Sequence, residues 1–167
     1  MNLNSLRTLS YGMTIVSSVK DDLKNAQIAN TVFQITSSPV TLGISINKEN
    51  LTYDYIVHSN SFALSVLTTK ADFKFIGKFG FRSGRDVNKF EGVEYKLSSS
   101  GIPIVTENAC AWFECKVIKS LDCGSHVLFV GEVLDSDLLN DDQPMTYDYY
   151  HHVIKGKSPK AAPTYIG

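Results

Sequence analysis

Residues 28–52 read IANTVFQITSSPVTLGISINKENLT, and the fold turns on this stretch. Between Val40 and Ile46, apolar Val40, Leu42, Ile44 and Ile46 alternate with Thr41, Gly43 and Ser45. That period of two predicts a strand with one face on a core. Ile28 to Ile35, with Val32, Phe33 and Ile35 apolar, predicts the strand before it, and Ser37-Ser38-Pro39 breaks the two apart. Ala29-Asn30-Thr31 is a polar interruption where the first of these strands starts. Ser45-Ile46-Asn47-Lys48-Glu49-Asn50-Leu51-Thr52 carries hydroxyls, an amide and a lysine out of the second strand. It leads into a predicted helix, TYDYIVHS, with Thr52 as its N-cap and Tyr53, Ile56 and Val57 on one face. Each polar segment alone reads as readily as an ordinary turn as it does a ligand contact.

Outward from this stretch the pattern stays mostly β. Gly12–Ser18 is rich in β-branched residues and predicts a strand, and Asp21-Asp22-Leu23-Lys24-Asn25 a polar turn after it. Strands are also predicted over Phe62–Leu67, Ile104–Thr106, Cys110–Ile118 and His126–Leu134, with a turn at Leu121–Ser125. Lys70–Lys78 predicts an amphipathic helix, Phe75 and Phe79 lying on one face and Lys70, Lys74 and Lys78 on another. Residues 135–143 are acidic and polar. The tail that follows offers a short helix, then Gly156, Pro159 and Pro163, which favour an extended arm. Many short strands with a few short helices predict a mainly β fold, a closed or partly closed barrel with Greek-key connections. The simplest division is one domain over 1–167 with a C-terminal arm over 144–167.

Composition narrows the function. The chain has 167 residues, 43% hydrophobic and 20% charged, with a formal net charge of −1. That supports a single folded core and argues against disorder. It lacks the basic excess expected of a nucleic-acid-wrapping protein. No apolar run approaches the roughly 20 residues of a membrane span, and the first residues do not read as a signal peptide. A cytoplasmic protein with neither nucleic-acid nor membrane partners is expected. Cys110, Cys115 and Cys123 fit no metal-knuckle spacing and read as reduced thiols. GxSxG, HExxH, GxGxxG and P-loop patterns are missing, and no metal site is expected.

One further stretch, KFGFRSGRDVNKF at 78–90, concentrates Lys78, Arg82, Arg85 and Lys89 around glycine and serine. Ser83 reads as a helix N-cap with Asp86 three residues on, and Gly84 leaves the backbone open to an anion. By itself this is equally a solvated helix joint.

Taken in order, TIVSS, NAQIANTVFQITSSPVTLGISINKENLTYDYI, FALSVL, FGFRSGRDVNKF, SHVLFVGEV and PMTYDYYHHVIKGKSPKAAPTY resemble the flavin reductase-like, FMN-binding split-barrel family over residues 8–165, with flavoredoxins and the flavin domains of modular flavin–rubredoxin proteins nearest. The resemblance implies a homodimer that binds FMN without a covalent link. It implies that Ala29, Asn30, Thr31 and Val32 lie along the isoalloxazine ring, and that Ser45, Ile46, Asn47, Lys48 and Thr52 reach the ribityl chain and phosphate. Phe81, Arg82, Ser83 and Gly84, with Lys89, would close around the phosphate. His126 matches a family histidine near the flavin or nicotinamide edge, although the turn before it reads CGSH rather than the family's GDH type. The activity implied is electron transfer from NAD(P)H or a redox protein, through FMN, to free flavin, a rubredoxin-like protein or another acceptor. These residues carry no rubredoxin-type cysteine pairs, so such a partner would be a separate protein or a domain outside these residues. A non-catalytic flavin- or haem-binding barrel is the alternative.

Overall fold

The computed structural model describes residues 1–165. After a 3-10 helix at Leu3–Thr8 come β1 (Thr14–Lys20), β2 (Leu23–Ala29), β3 (Val32–Ser37), β4 (Val40–Asn47), α1 (Leu51–Ser59) and β5 (Ser61–Leu67). They are followed by α2 (Phe73–Gly80), β6 (Tyr95–Leu97), β7 (Pro103–Val105), β8 (Ala109–Asp122), β9 (His126–Leu138) and α3 (Tyr147–His152). Seven strands form one antiparallel sheet in the order β2-β1-β5-β8-β9-β4-β3, and β6 and β7 form a separate pair.

The two edge strands of that sheet, β2 and β3, are neighbours in the chain, with only Asn30 and Thr31 between them. The three peptide steps from Ala29 to Val32 reach at most about 11 Å. The sheet therefore has to curl until its edges come together at one corner. Beside that corner the Ser45 amide donates to the Thr31 carbonyl at 3.2 Å and carries the β3–β4 pairing one step past Val32↔Ile44. The β4–α1–β5 connection skips β8 and β9 in the sheet order, with α1 packed chiefly on β1, giving the non-sequential order of a Greek-key barrel. Val16, Ile44, Ile46, Phe62, Leu64 and Phe129 fill the inside. A second cluster, with Ile15, Phe75, Ile76, Phe79, Met145 and Tyr150, packs α2 and α3 against β1 and β2. β1 contributes to both clusters, which is why its first five residues are all buried.

Several local expectations change. The polar turn expected at 21–25 is confined to Asp21 and Asp22; Leu23 onward is β2, paired with β1 from Lys20↔Leu23 to Thr14↔Ala29. Asn25 is polar yet buried, which hides the strand's alternation. The strand expected over 28–35 is two strands that turn at Asn30-Thr31. α1 is capped by extended Asn50 without a side-chain bond, while Thr52 sits inside the helix, fully buried, and accepts from Asn25 Nδ2 at 2.8 Å. α2 begins at Phe73, capped by Asp72, whose Oδ1 accepts from the Phe75 amide at 2.7 Å. No helix starts at Ser83; residues 81–92 are turns, and Ser83 Oγ accepts from the Arg85 amide at 3.1 Å. β8 and β9 run on to 14 and 13 residues because their outer ends leave the core and lose apolar alternation. No helix among the described residues is long and apolar enough to cross a membrane.

A tight internal fit within the barrel lies at Gly131 on β9. A Cβ there would meet the Phe62 ring at 2.6 Å and Cys115 Cβ at 2.9 Å, neither on a freely moving side-chain end. Gly131→Ala is expected to destabilise the chain by about 1–3 kcal/mol, the usual effect of overpacking. A urea titration that leaves the midpoint unchanged would count against this packing.

Candidate functional site

The corner made by β2 and β3 opens into a cleft of about 440 Å³. Its walls come from β2, the end of β4, the start of α1, the end of α2, the 81–89 turns and the segment after α3. Of the residues singled out from sequence, Ala29, Asn30, Ser45, Asn47, Thr52, Phe81, Arg82, Ser83, Gly84 and Lys89 line it. Four others lie outside the lining. Ile46 is fully buried in the barrel core, and Val32 packs against that core. Thr31 offers its carbonyl to Ser45. Lys48 Nζ is held by both Asp122 carboxylate oxygens at 2.7 Å, and its amide donates to Ser125 O at 3.0 Å. That lysine braces the β8–β9 turn. The same contact, with the Gly124 amide, holds the Asp122 carboxyl below the usual carboxylate range.

The three cations of the 78–90 stretch nearest the cleft differ in kind. Arg85 is neutralised: its guanidinium meets Asp54 Oδ2 and the Glu49 carbonyl, each at 3.1 Å. Arg82 is exposed. Lys89 is 3% exposed, donates to the Phe79 carbonyl at 3.0 Å, and forms no ion pair among the described residues. Burial pushes its ammonium down to about 8 from an ordinary 10.5.

Two residues that sequence reading missed complete this wall. Asn25 and Gln27 alternate with Ala29 along β2 and line the cleft, and Asn25 Oδ1 and Gln27 Oε1 are buried without a hydrogen-bond partner. Their signal was period-two spacing in polar residues, which resembles a turn until the strand pairing is known. Gly84 faces Asn25: a Cβ there would come within 2.0 Å of Asn25 Oδ1. The third missed element is the segment after α3, which supplies Lys157, Pro159, Lys160, Ala161, Ala162 and Pro163 to the cleft. His126, the first residue of β9, stands behind that segment; its Nδ1 lies 2.9 Å from Ser125 Oγ and its Nε2 3.3 Å from the Ala161 carbonyl.

The curled antiparallel barrel has a cleft at its corner that combines a buried lysine without an ion pair and two amide oxygens without hydrogen-bond partners, an arrangement suited to a polar, anionic ligand. The chain belongs to the flavin reductase-like domain family, a family of flavin-binding oxidoreductases, whose model matches residues 6–156. It is 46% identical over 165 residues to a "High molecular weight rubredoxin" of Moorella thermoacetica, covering 99% of this chain and 72% of that one. It is also 46% identical over 166 residues to a "Ferric-chelate reductase (NAD(P)H)" of Archaeoglobus fulgidus, covering 99% and 98%. Its fold matches that of the flavoredoxin of Methanosarcina acetivorans with a TM-score of 0.71 at 22% identity, over 77% of this chain and 68% of that one.

Lys89 gives the empty cleft a pH signature. Its folded pKa lies below the unfolded value, so between about pH 8 and 10.5 the folded chain holds fewer protons and stability rises with pH. Below pH 8 the full burial penalty remains. Relative to Lys89→Met, the wild-type chain without ligand is expected to gain stability across that window, on the order of 3 kcal/mol. Parallel melting curves for the two proteins from pH 7.5 to 10 would refute this burial.

Proposed function

We propose that this chain binds FMN in the corner cleft and passes electrons from a reduced nicotinamide, or a redox protein, to a second acceptor. The observation that carries the reading is Lys89: a buried ammonium with no carboxylate partner, in a cleft where the side-chain oxygens of Asn25 and Gln27 also lack hydrogen-bond partners. A flavin phosphate supplies the missing anion. Lys89 then makes a charge-assisted bond, and Ser83, Gly84 and Thr52 line the same cleft. Ala29, Asn30, Ser45 and Asn47 line the wall nearer the β2–β3 corner and offer polar groups to the edge of a ring. Asn25 Oδ1 and Gln27 Oε1 would gain partners from the hydroxyls of the ribityl chain.

When bound, FMN supplies the redox chemistry, linking hydride transfer to single-electron transfer. The chain's own part is to hold the phosphate, orient the ring and keep water from the reacting face. None of these tasks requires a side chain to take up a proton. The names of the two relatives support an acceptor containing iron, a rubredoxin-like protein or a ferric chelate. A homodimer is part of the same reading. On the outward face, strand register sets Phe33 beside Gly43 and Val130, and Leu121 beside Leu128. Phe33 and Leu121 are 46% and 60% exposed, an apolar surface suited to a second copy.

Purified protein is expected to be yellow, absorbing near ~450 nm, to release FMN on denaturation, and to bleach anaerobically with NADH or NADPH. Colour should return on adding ferric chelate, rubredoxin or free flavin. Protein that neither carries nor binds FMN would end this reading; bound FMN that no nicotinamide or redox protein reduces would leave a non-catalytic binding module. Lys89→Met should weaken FMN binding about ten- to a hundredfold, the loss of a charged hydrogen bond of roughly 1.5–3 kcal/mol. Fluorescence titration measures it, and an unchanged affinity in folded protein would move the phosphate elsewhere.

A further inference from the structure

The segment after α3 is tied down along its length. At its root, Gly156 is buried beneath the Tyr150 ring so closely that a Cβ would fall 2.0 Å from a ring carbon. Tyr150 OH donates to the Lys157 carbonyl at 3.2 Å, and His151 Nδ1 lies 2.9 Å from the Gly156 carbonyl. At its far end, Asn30 Nδ2 donates to Thr164 Oγ1 at 2.6 Å. Between these points one carbonyl, that of Ala161, faces His126 Nε2 at 3.3 Å and Asn47 Nδ2 at 3.5 Å. Asn47 and His126 are register partners across β4 and β9, so the two strands present a pair of donors to a single acceptor. The Ala161 carbonyl can only accept, so that contact requires a hydrogen on Nε2, and the Ser125 hydroxyl is placed to donate to Nδ1.

We propose that residues 157–164 form a latched lid over the flavin cleft and that His126 is its latch, a positioning residue that sets how fast FMN enters and leaves. The inference rests on the FMN reading above. The segment is a lid and not a plug, because the cleft keeps about 440 Å³ with the segment in place, within the usual range for cofactor pockets. It is able to open because it contains no helix or strand; past its root, where the Tyr150 hydroxyl donates to the Lys157 carbonyl and Ser158 Oγ donates to the Tyr147 hydroxyl at 3.5 Å, the hydrogen bonds tying it to the barrel come from the side chains of Asn30, Asn47 and His126. Pro159 and Pro163 restrict its backbone, so closing it costs little conformational entropy. Both ring nitrogens of His126 are engaged by Ser125 and the lid, which leaves no free nitrogen to carry a proton to substrate.

The test uses the full chain loaded with FMN, comparing wild type with His126→Ala, His126→Gln and Thr164→Val. Stopped-flow flavin fluorescence gives the association and dissociation rates, and amide hydrogen exchange reports the lid. His126→Ala and Thr164→Val, at separate points of the lid, are each expected to raise both rates about three- to tenfold, the effect of losing one hydrogen bond. Exchange over 158–165 should rise in parallel. His126→Gln, whose amide N–H reaches the same carbonyl, should restore both readouts. Unchanged rates in both unlatching variants overturn the lid. Altered rates in His126→Ala alone, with lid exchange unmoved, also overturn it and assign His126 to direct contact with flavin or nicotinamide. Absence of FMN binding in the wild-type chain instead removes the functional reading on which the lid depends.

Discussion

Asn30 and Thr31 join the two opposite edges of a seven-stranded sheet, and most of the molecule follows from that shortness. A flat sheet would hold β2 and β3 several strand spacings of about 4.8 Å apart. Two residues cannot span that distance, so the sheet curls and leaves one open corner. The curl brings β2, carrying Asn25 and Gln27, next to the end of β4, carrying Ser45 and Asn47. It also means that no strand ladder closes the barrel at that corner among the described residues, since the Ser45–Thr31 bond belongs to the β3–β4 pairing. A ligand can reach inward there because the backbone pairing is incomplete there.

The electrostatics of the cleft separate charges that look alike in sequence. Lys48 and Arg85 each meet a carboxylate on the surface, where an ion pair contributes about 0–1 kcal/mol and mainly fixes a turn. Lys89 has lost its water and gained one neutral carbonyl. A buried amine without a counter-charge is the costlier arrangement by several-fold, and it survives only if the cost is recovered when something binds. This comparison ranks Lys89 above Arg82, Arg85 and Lys48 as the anion's partner. Counting positive residues in a stretch gives no such ranking.

What could be read from sequence follows from where the apolar residues point. The alternation of Val40–Ile46 faces a core on one side only, so β4 was visible at once, and the helical spacing of Phe75 and Phe79 revealed α2 for the same reason. β2 was missed because Asn25 and Gln27 face a polar cleft, and inward polar residues look like a turn. Hydroxyls commonly cap helices, which makes Thr52 look like a cap; in place it is the second residue of α1 and hydrogen-bonds Asn25. The helix expected at Ser83 failed because Asn25 and Leu51 crowd Gly84, and Arg85 is drawn to α1 by Asp54 and the Glu49 carbonyl. The order of segments carried the family, and with it ten of the cleft's lining residues. It did not carry the distinction between a residue that lines the cleft and one, such as Ile46 or Lys48, that supports it from behind.

The misread positions share a physical property. Asn25, Gln27, Thr52 and the chain around Ala161, together with Lys89, which the sequence did place at the cleft, put polar groups where a stable, ligand-free barrel would place apolar ones. Sequence rules assume that burial and polarity exclude each other, so they fail at the positions where a fold gives up stability to hold something. The lid fits the same logic. A permanently closed apolar wall over this corner would relieve the unpaired amides only by sealing the cleft. A short proline-containing segment held by three side-chain donors closes it reversibly, and takes those donors from Asn30, Asn47 and His126 beside the cleft itself. Coupling the lid to these residues makes closure sensitive to what occupies the site, because a ligand that draws Asn30 or Asn47 away from Thr164 or Ala161 loosens the same bonds that keep the lid down.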